Sequence, residues 1–309
     1  LFKTLITLDV LIHPLCPYTS EYLYLGLAKQ KKSILLERWP IAQESLEDEK
    51  LEESFDLLKE VTSISAAARM KGKLKRRWPL NEAIICVGKG KKEKLESLSN
   101  LLISQLNVEK YNIVELEKKE GLEQILQLKQ LGLPAVLNIE LERKRIGPKA
   151  KQNMEKLVQR FSDTDPAEIM DGLRKDAKFT FEIEGEQILL GVDDFVIDYN
   201  AQEGFAVSQR DELIVFISTT RNREIVAKGL VKDLARRLQM LRKERGYTPT
   251  KILSVASILD LDEELLQMVK EKTKDLAFLV RVKEVNFTQS CKEYKEDEID
   301  GQKIRISVE

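Results

Sequence analysis

Apolar residues recur at helical spacing through the first third of the chain. Phe2, Leu5, Leu8 and Ile12 form one stripe, the three-to-four-residue period of a helix with one buried face. Pro14 and Pro17 break it, because proline cannot continue a helix interior, while Pro17 suits the first turn of a second helix through residue 27. After a connector through Trp39 and Pro40, the residues Leu51, Phe55, Leu58, Thr62, Ser65 and Ala68 mark one face of a long helix over 46–71. Acids crowd its start and bases its end, the order the helix dipole favours. The pattern leaves open whether it stops at Gly72 or runs on to Trp78.

At Pro79 the period shortens. Residues 83–87 and 111–116 read as strands around a helix over 93–106, a strand–helix–strand unit. A helix near 122–131, a strand over 135–139 and a helix over 148–161 continue the alternation. Pro166 opens another helix, and residues 179–216 read as β-structure with turns at Gly185, Gly191 and Gly204. A second long helix over 224–245 carries Val226, Leu230, Leu234, Leu238 and Leu241 on one face. A strand over 252–256, a helix over 262–273 and a strand over 276–282 make a second strand–helix–strand unit. A hairpin around Asp300-Gly301 closes the chain. The two units hint at a repeat, without residue-level identity. The expected fold is α+β: a partial helical bundle over 1–77, then mixed-sheet α/β domains over 78–165 and 166–309.

Composition narrows the class. The 309 residues are 42% hydrophobic and 33% charged, with formal net charge −1, so attraction to a polyanion must come from local patches. No apolar run reaches the roughly 20 residues of a membrane span. The chain opens on Leu1 inside a helical pattern, with neither Met nor a signal-peptide layout, and is expected to be a piece of a longer protein. Cys16, Cys86 and Cys291 are far apart, which suggests reduced, buried thiols in a cytoplasmic protein.

The strongest candidate chemistry is a cationic run. Arg69, Lys71, Lys73, Lys75, Arg76 and Arg77 place six cations in nine residues with no carboxylate, and Trp78 follows at once. The helix dipole favours cations only within the last turn, which accounts for Arg69 and Lys71. The others need solvent or an anion, and a nucleic-acid backbone fits best. Lys71, Lys73, Lys75, Arg76 and Arg77 would neutralise phosphates, and Arg69 would reach a base or phosphate. Trp78 is either a stacking platform for an unpaired base or a core residue at a domain junction. Arg236, Arg237, Arg242 and Lys243 on the second long helix form a secondary RNA-contact set or a solvated face.

Other motifs carry less. His13 and Cys16 have ligand spacing but no second cluster to complete a zinc site. No Gly-x-Ser-x-Gly elbow accompanies the single histidine. Gly88-Lys89-Gly90 follows a strand yet matches no phosphate-loop pattern. Asp193-Asp194 reads as a solvated turn. No catalytic or metal-binding residues are assigned.

With these segments in view, the chain resembles archaeal and eukaryotic-type isoleucyl-tRNA synthetases. Residues 68–80 are similar to that family's Ala-Arg-x-Lys-x-Lys-x-Lys-x-Arg-Trp-Pro segment, which leaves the anticodon-binding bundle for the C-terminal domain. His13-Pro14-Leu15-Cys16-Pro17-Tyr18 with Glu21 resembles the bundle's Pro-x-x-Pro-Tyr helix pair, and residues 33–40 its Ser…Trp-Pro connector. Gly229-Leu230 through Arg242-Lys243 is similar to the late helix Gly-Leu-Ala-Arg-Glu-x-x-Arg-Arg-Ile-Gln, although Ala227-Lys228 stands where the family has Arg-Glu. The His-Ile-Gly-His and Lys-Met-Ser-Lys-Ser sequences of class I synthetases are missing, as is the editing domain. The resemblance implies a tRNA-binding C-terminal part that docks the anticodon stem-loop of isoleucine tRNA for ATP-dependent aminoacylation elsewhere in the parent. ATP and Mg would serve the parent only, and this part would pack on the missing catalytic domain. The alternative is a structural or protein-interaction module, or a non-catalytic paralogue, without RNA contact.

Overall fold

The computed structural model describes residues 1–28, 32–119, 121–287, 293–299 and 301–309. Cys291 and Asp300 lie outside the described residues. The chain divides into two compact units, Leu1–Glu52 and Glu53–Glu309.

In the first unit α1 (Phe2–Ile12) and α2 (Pro17–Leu27) pack together around Val10, Tyr24 and Ile34. The polar residues of the proline-rich segment fasten this corner. His13 Nδ1 lies 2.8 Å from Ser20 Oγ. Glu21 accepts from the Ile34 N–H at 2.9 Å and from Ser33 Oγ at 3.3 Å, and Tyr24 O–H donates to Glu37. His13 is therefore a junction residue.

The second unit opens on α3 (Glu49–Lys71), which begins in the first. Then follow β1 (Leu80–Gly88), α4 (Lys92–Glu96), α5 (Ser99–Leu106) and β2 (Val108–Leu116). A long excursion carries α6 (Gly121–Gln130), β3 (Ala135–Leu141), α7 (Arg143–Ala150), α8 (Met154–Asp163), α9 (Pro166–Asp176), β4 (Lys178–Ile183), β5 (Glu186–Gly191) and β6 (Phe195–Ala201). The chain returns in β7 (Phe205–Arg210) and β8 (Leu213–Ser218). It continues through α10 (Arg223–Glu244), β9 (Leu253–Leu259), α11 (Glu263–Glu271), α12 (Thr273–Val280), β10 (Val282–Asn286), β11 (Lys295–Ile299) and β12 (Gln302–Val308). The fold is α+β.

The strand residues alternate between two cores, as the two-residue side-chain period requires. Ala83, Ile85 and Val87 of β1 meet α3 through Leu57, Leu58, Val61, Ile64 and Ala68, and α5 through Leu102 and Leu106. Cys86 and, on β8, Ile214 and Phe216 face the excursion, whose core includes Ile125, Leu128, Ile146 and Leu157. A strand covered on both sides reads as a continuous apolar run, which is why Ala83 to Val87 is uninterrupted.

Two four-stranded sheets share one plan. The first runs β2-β1-β8-β7 and the second β10-β9-β12-β11. In each, the first two strands pair in parallel across a two-helix connection, and the rest is antiparallel. Leu80↔Val108 and Ala83↔Tyr111 in the first correspond to Leu253↔Val282 and Ala256↔Val285 in the second. Superposed on this register, Leu80, Ala83, Ile85, Leu102 and Val108 match Leu253, Ala256, Ile258, Leu276 and Val282, all buried. The two units thus share a topology and the same residue at these five buried positions, while the buried Cys86 and Leu106 correspond to Leu259 and Val280.

Several expectations change. The sheet β2-β1-β8-β7 joins strands from both sides of residue 165, so a cut at 165/166 would sever it. The compact units divide at 52/53, and α3 shares a core with β1. The stretch 276–282 is not one strand. Residues through Val280 are helical, because Leu276 and Val280, four apart, bury one face, and Arg281 at φ 56 ends the helix before β10. The single helices expected over 93–106 and 148–161 are each broken, at Ser97–Leu98 and at residues 151–153, and Pro148 lies inside α7.

Candidate nucleic-acid interface

The cationic run begins where α3 stops. Lys73 N–H donates to Met70 O at 3.1 Å and Leu74 N–H to Arg69 O at 2.9 Å, the paired bonds of a Schellman stop. Its left-handed residue is Lys73, at φ 52, and the helix does not reach Trp78. The equivalent stop after α10 pairs Gly246 N–H with Lys243 O and Tyr247 N–H with Arg242 O, both at 3.0 Å. There the left-handed position is held by Gly246, at φ 75.

Arg69 does not project toward solvent. It is 5% exposed, and its guanidinium donates to the carbonyls of Trp78 at 3.0 Å, Lys75 at 3.4 Å, Leu106 at 2.7 Å and Asn107 at 3.1 Å. Burial lowers its pKa to about 10, so it stays charged at neutral pH. Asn107, left-handed at the end of α5, adds Nδ2–H bonds to the carbonyls of Arg77 at 3.1 Å and Arg76 at 3.5 Å. The backbone beneath the cations is thus tied to the scaffold from Lys75 to Trp78.

Trp78 also turns inward. It is 3% exposed, its Nε1–H donates to Asp233 at 2.9 Å, and Lys75 and Arg221 lie over the ring at 4.8 and 5.0 Å. It is the core residue at the junction, with no ring face open to a base. Lys71, Lys73, Arg76 and Arg77 are exposed, and their side chains have no hydrogen bond or ion pair among the described residues. Lys75 is exposed too, with Nζ 3.7 Å from Asp233 Oδ2.

Opposite this loop, α10 supplies a second wall. Between them lies a cleft of about 1060 Å³. Arg69, Lys75, Arg76, Arg77, Lys232, Arg236 and Arg237 line it, and Asp233 is the one carboxylate. That carboxylate already accepts from Trp78 and neighbours Lys75. Lys232 donates to Asn107 Oδ1 at 2.8 Å. Desolvation lowers its pKa, with Arg69 and Lys228 adding to the effect and Glu109 opposing it. Arg236 is exposed without a partner among the described residues, whereas Arg237 pairs with Asp297 at 3.3 Å and donates to Glu298 O at 2.6 Å.

The secondary set therefore divides. Arg236 lines the cleft, Arg237 is partly spent, and Lys243 is exposed outside it. Arg242 is 5% exposed and repeats the work of Arg69, donating to the carbonyls of Thr248 at 3.3 Å, Lys251 at 2.5 Å, Arg281 at 3.1 Å and Val280. Lys232 was legible as one of the α10 bases at four-residue spacing. Asn107 carried no signal, because its role depends on where α5 ends.

Two comparisons bear on this site. Residues 1–85 match the family described as the anticodon-binding domain of tRNA ligase, a span that contains the whole run from Arg69 to Trp78. Isoleucine–tRNA ligases then align along the full chain. The chain matches the C-terminal part of isoleucine–tRNA ligases. The ligase of Archaeoglobus fulgidus is 25% identical over 96% of this chain and 26% of its own length. That of Methanocella arvoryzae is 29% identical over 90% and 24%, and isoleucine–tRNA ligase 2 of Bacillus thuringiensis is 25% identical over 100% and 28%. The ligase-like chain thus spans about a quarter of the length of these relatives. Among the described residues no group of three or more His, Cys, Asp or Glu side chains is placed to hold a metal ion, and no helix is long and apolar enough to cross a membrane.

Proposed function

We propose that the cleft between the 75–77 loop and α10 binds the phosphate backbone of a tRNA, docking the anticodon stem-loop of isoleucine tRNA for a cytoplasmic ligase. One observation carries this: seven cationic side chains line the cleft against a single, already engaged carboxylate, in a chain of formal net charge −1. A backbone pinned by Arg69 and Asn107 needs no ordering when its side chains meet phosphates, and such contacts set register and orientation. Arg76 and Arg77 are the principal contacts, with Lys71, Lys73 and Lys75 on the approach and Lys232 and Arg236 across the cleft. Trp78, Arg69 and Arg242 act through position, holding the walls.

The ATP and Mg of aminoacylation belong to segments of the ligase beyond this chain. The sequence carries no class I nucleotide signature, and no chemical step is assigned to this part.

The test is salt-dependent binding of an isoleucine tRNA transcript. Log K should fall with log salt by about 0.7–0.9 per phosphate neutralised. Arg76→Glu with Arg77→Glu should flatten the slope by about two such contacts while circular dichroism stays native. Unchanged affinity and slope would overturn the proposal in favour of a structural or protein-interaction module.

A further inference from the structure

In the first repeat α10 is the covering element. Trp78 meets it at Gly229 and Asp233, Lys228 Nζ reaches Glu109 at 2.9 Å, and Lys232 Nζ reaches Asn107 at 2.8 Å. Under this helix Trp78 and Pro79 are buried.

The second repeat has the same surface uncovered. In the shared register, Lys251 and Ile252 stand where the first repeat has Trp78 and Pro79. Phe278 stands for Ser104, Arg281 for Asn107 and Lys283 for Glu109. Ile252 is 64% and Phe278 83% exposed. Lys251, Arg281 and Lys283 are exposed and have no ion pair among the described residues; the Lys251 ammonium rests over the Tyr247 ring at 4.8 Å.

Glu109, Asn107 and Trp78, which α10 meets through Lys228, Lys232 and Asp233, are replaced by the cations Lys283, Arg281 and Lys251, whereas Lys75, also beside Asp233, is replaced by Thr248. A helix seated there as α10 is seated would need acids at the positions of Lys228 and Lys232, opposite Lys283 and Arg281. It would keep the acid of Asp233, now opposite Lys251. We propose that this face of the second repeat docks an acidic amphipathic helix of a partner protein, with carboxylates spaced i, i+4 and i+5. Phe278 and Ile252 supply the apolar contact that the basic rim surrounds, the helix-in-groove mode of recognition.

The probe follows from α10 itself: a fluorescent peptide of residues 222–240 carrying Lys228→Glu and Lys232→Glu, titrated with the 309-residue chain and read by anisotropy. Saturable binding with Kd below about 100 μM is expected, weakened at least about tenfold when the peptide keeps its lysines. The surface variant Lys251→Glu/Phe278→Asp should weaken the acidic peptide by about tenfold or more, with its melting curve unchanged. No saturation, equal binding of the two peptides, or indifference to the variant would overturn the proposal. So would loss of tRNA affinity in that variant, which would assign the face to RNA. These residues lie outside the cleft, so the peptide result is independent of Arg76 and Arg77.

Discussion

Trp78 and Gly229 meet so closely that a Cβ on Gly229 would stand 2.4 Å from Trp78 Cδ2 and 2.7 Å from Cε3. The glycine lies within a 22-residue helix, where glycine is otherwise unfavourable by roughly 1 kcal/mol against alanine. Close approach of the indole is the reason it is there, and that approach brings Asp233, one turn on, to the indole N–H.

Gly229→Ala should therefore destabilise the protein, against the helix propensity of alanine. Overpacking typically costs about 1–3 kcal/mol, and a lowered midpoint in chemical denaturation would show it. A raised midpoint would mean the indole moves aside freely. Because the displaced Trp78 carries the loop with it, tRNA affinity should fall as well.

Arg69 and Arg242 hold four carbonyls each at equivalent places in the two repeats. Replacing either by Met removes the guanidinium donor from the carbonyls of Trp78 and Leu106, or of Lys251 and Val280, while Lys75, Asn107, Thr248 and Arg281 keep a backbone N–H donor, and each substitution should cost about 2–3 kcal/mol. Lysine should not rescue, since an ammonium lacks the planar fork. Denaturation of the two variants is the measurement. Native stability in Arg69→Met together with lost RNA binding would instead make Arg69 a direct RNA contact.

Lys73 holds a left-handed conformation that Gly246 adopts in the second repeat. Lys73→Gly should stabilise the fold by about 1 kcal/mol, since this region costs a side chain roughly that much. It should also reduce the tRNA salt slope by about 0.7–0.9, one phosphate contact. Stability and RNA affinity would then move in opposite directions in a single variant, read by melting and by filter binding.

Cys86 is fully buried in β1 between two cores, and burial pushes its thiol up to about 12 from 9.0. The folded state keeps this proton while the unfolded state loses it above about pH 9. The contribution to stability is thus complete below pH 9 and declines as pH rises toward 12. In native protein at pH 8, mass-spectrometric mapping after alkylation should find Cys16, which is exposed, modified and Cys86 untouched until denaturant is added. Modification of Cys86 at the rate of Cys16 would contradict its placement.

Much of the fold was legible. The helix of Phe2 to Ile12, the proline break, the long helices on either side of the β-region and the apolar strand at Ala83 to Val87 all follow from local periodicity, although the stripe of Phe2, Leu5 and Leu8 stays exposed and Val10 is buried in its place. So did the cationic run, because six charges in nine residues exceed what a helix end needs. What misled was also local: Leu276 to Val280 reads as a strand by composition, and only packing beside α10 makes it a helix. The repeat was hinted at by the two strand–helix–strand units, but its residue identities escaped because they are confined to scattered core positions and a pair of arginines, while the surfaces between them differ.

By itself, then, the amino-acid order determined most of the helices and strands, where charge concentrates, and the likeness to the C-terminal part of a ligase. Tertiary structure alone decided which cations remain available. Arg69 and Arg242 look like surface bases in the sequence. They became internal fasteners because distant segments (residues 106–107 and 280–281) bring carbonyls to their guanidinium groups. Spatial neighbours far apart along a chain leave no local trace, so the division of one basic run into four exposed charges unpartnered among the described residues, Lys75 beside Asp233, and a buried clamp could be read only from the folded molecule.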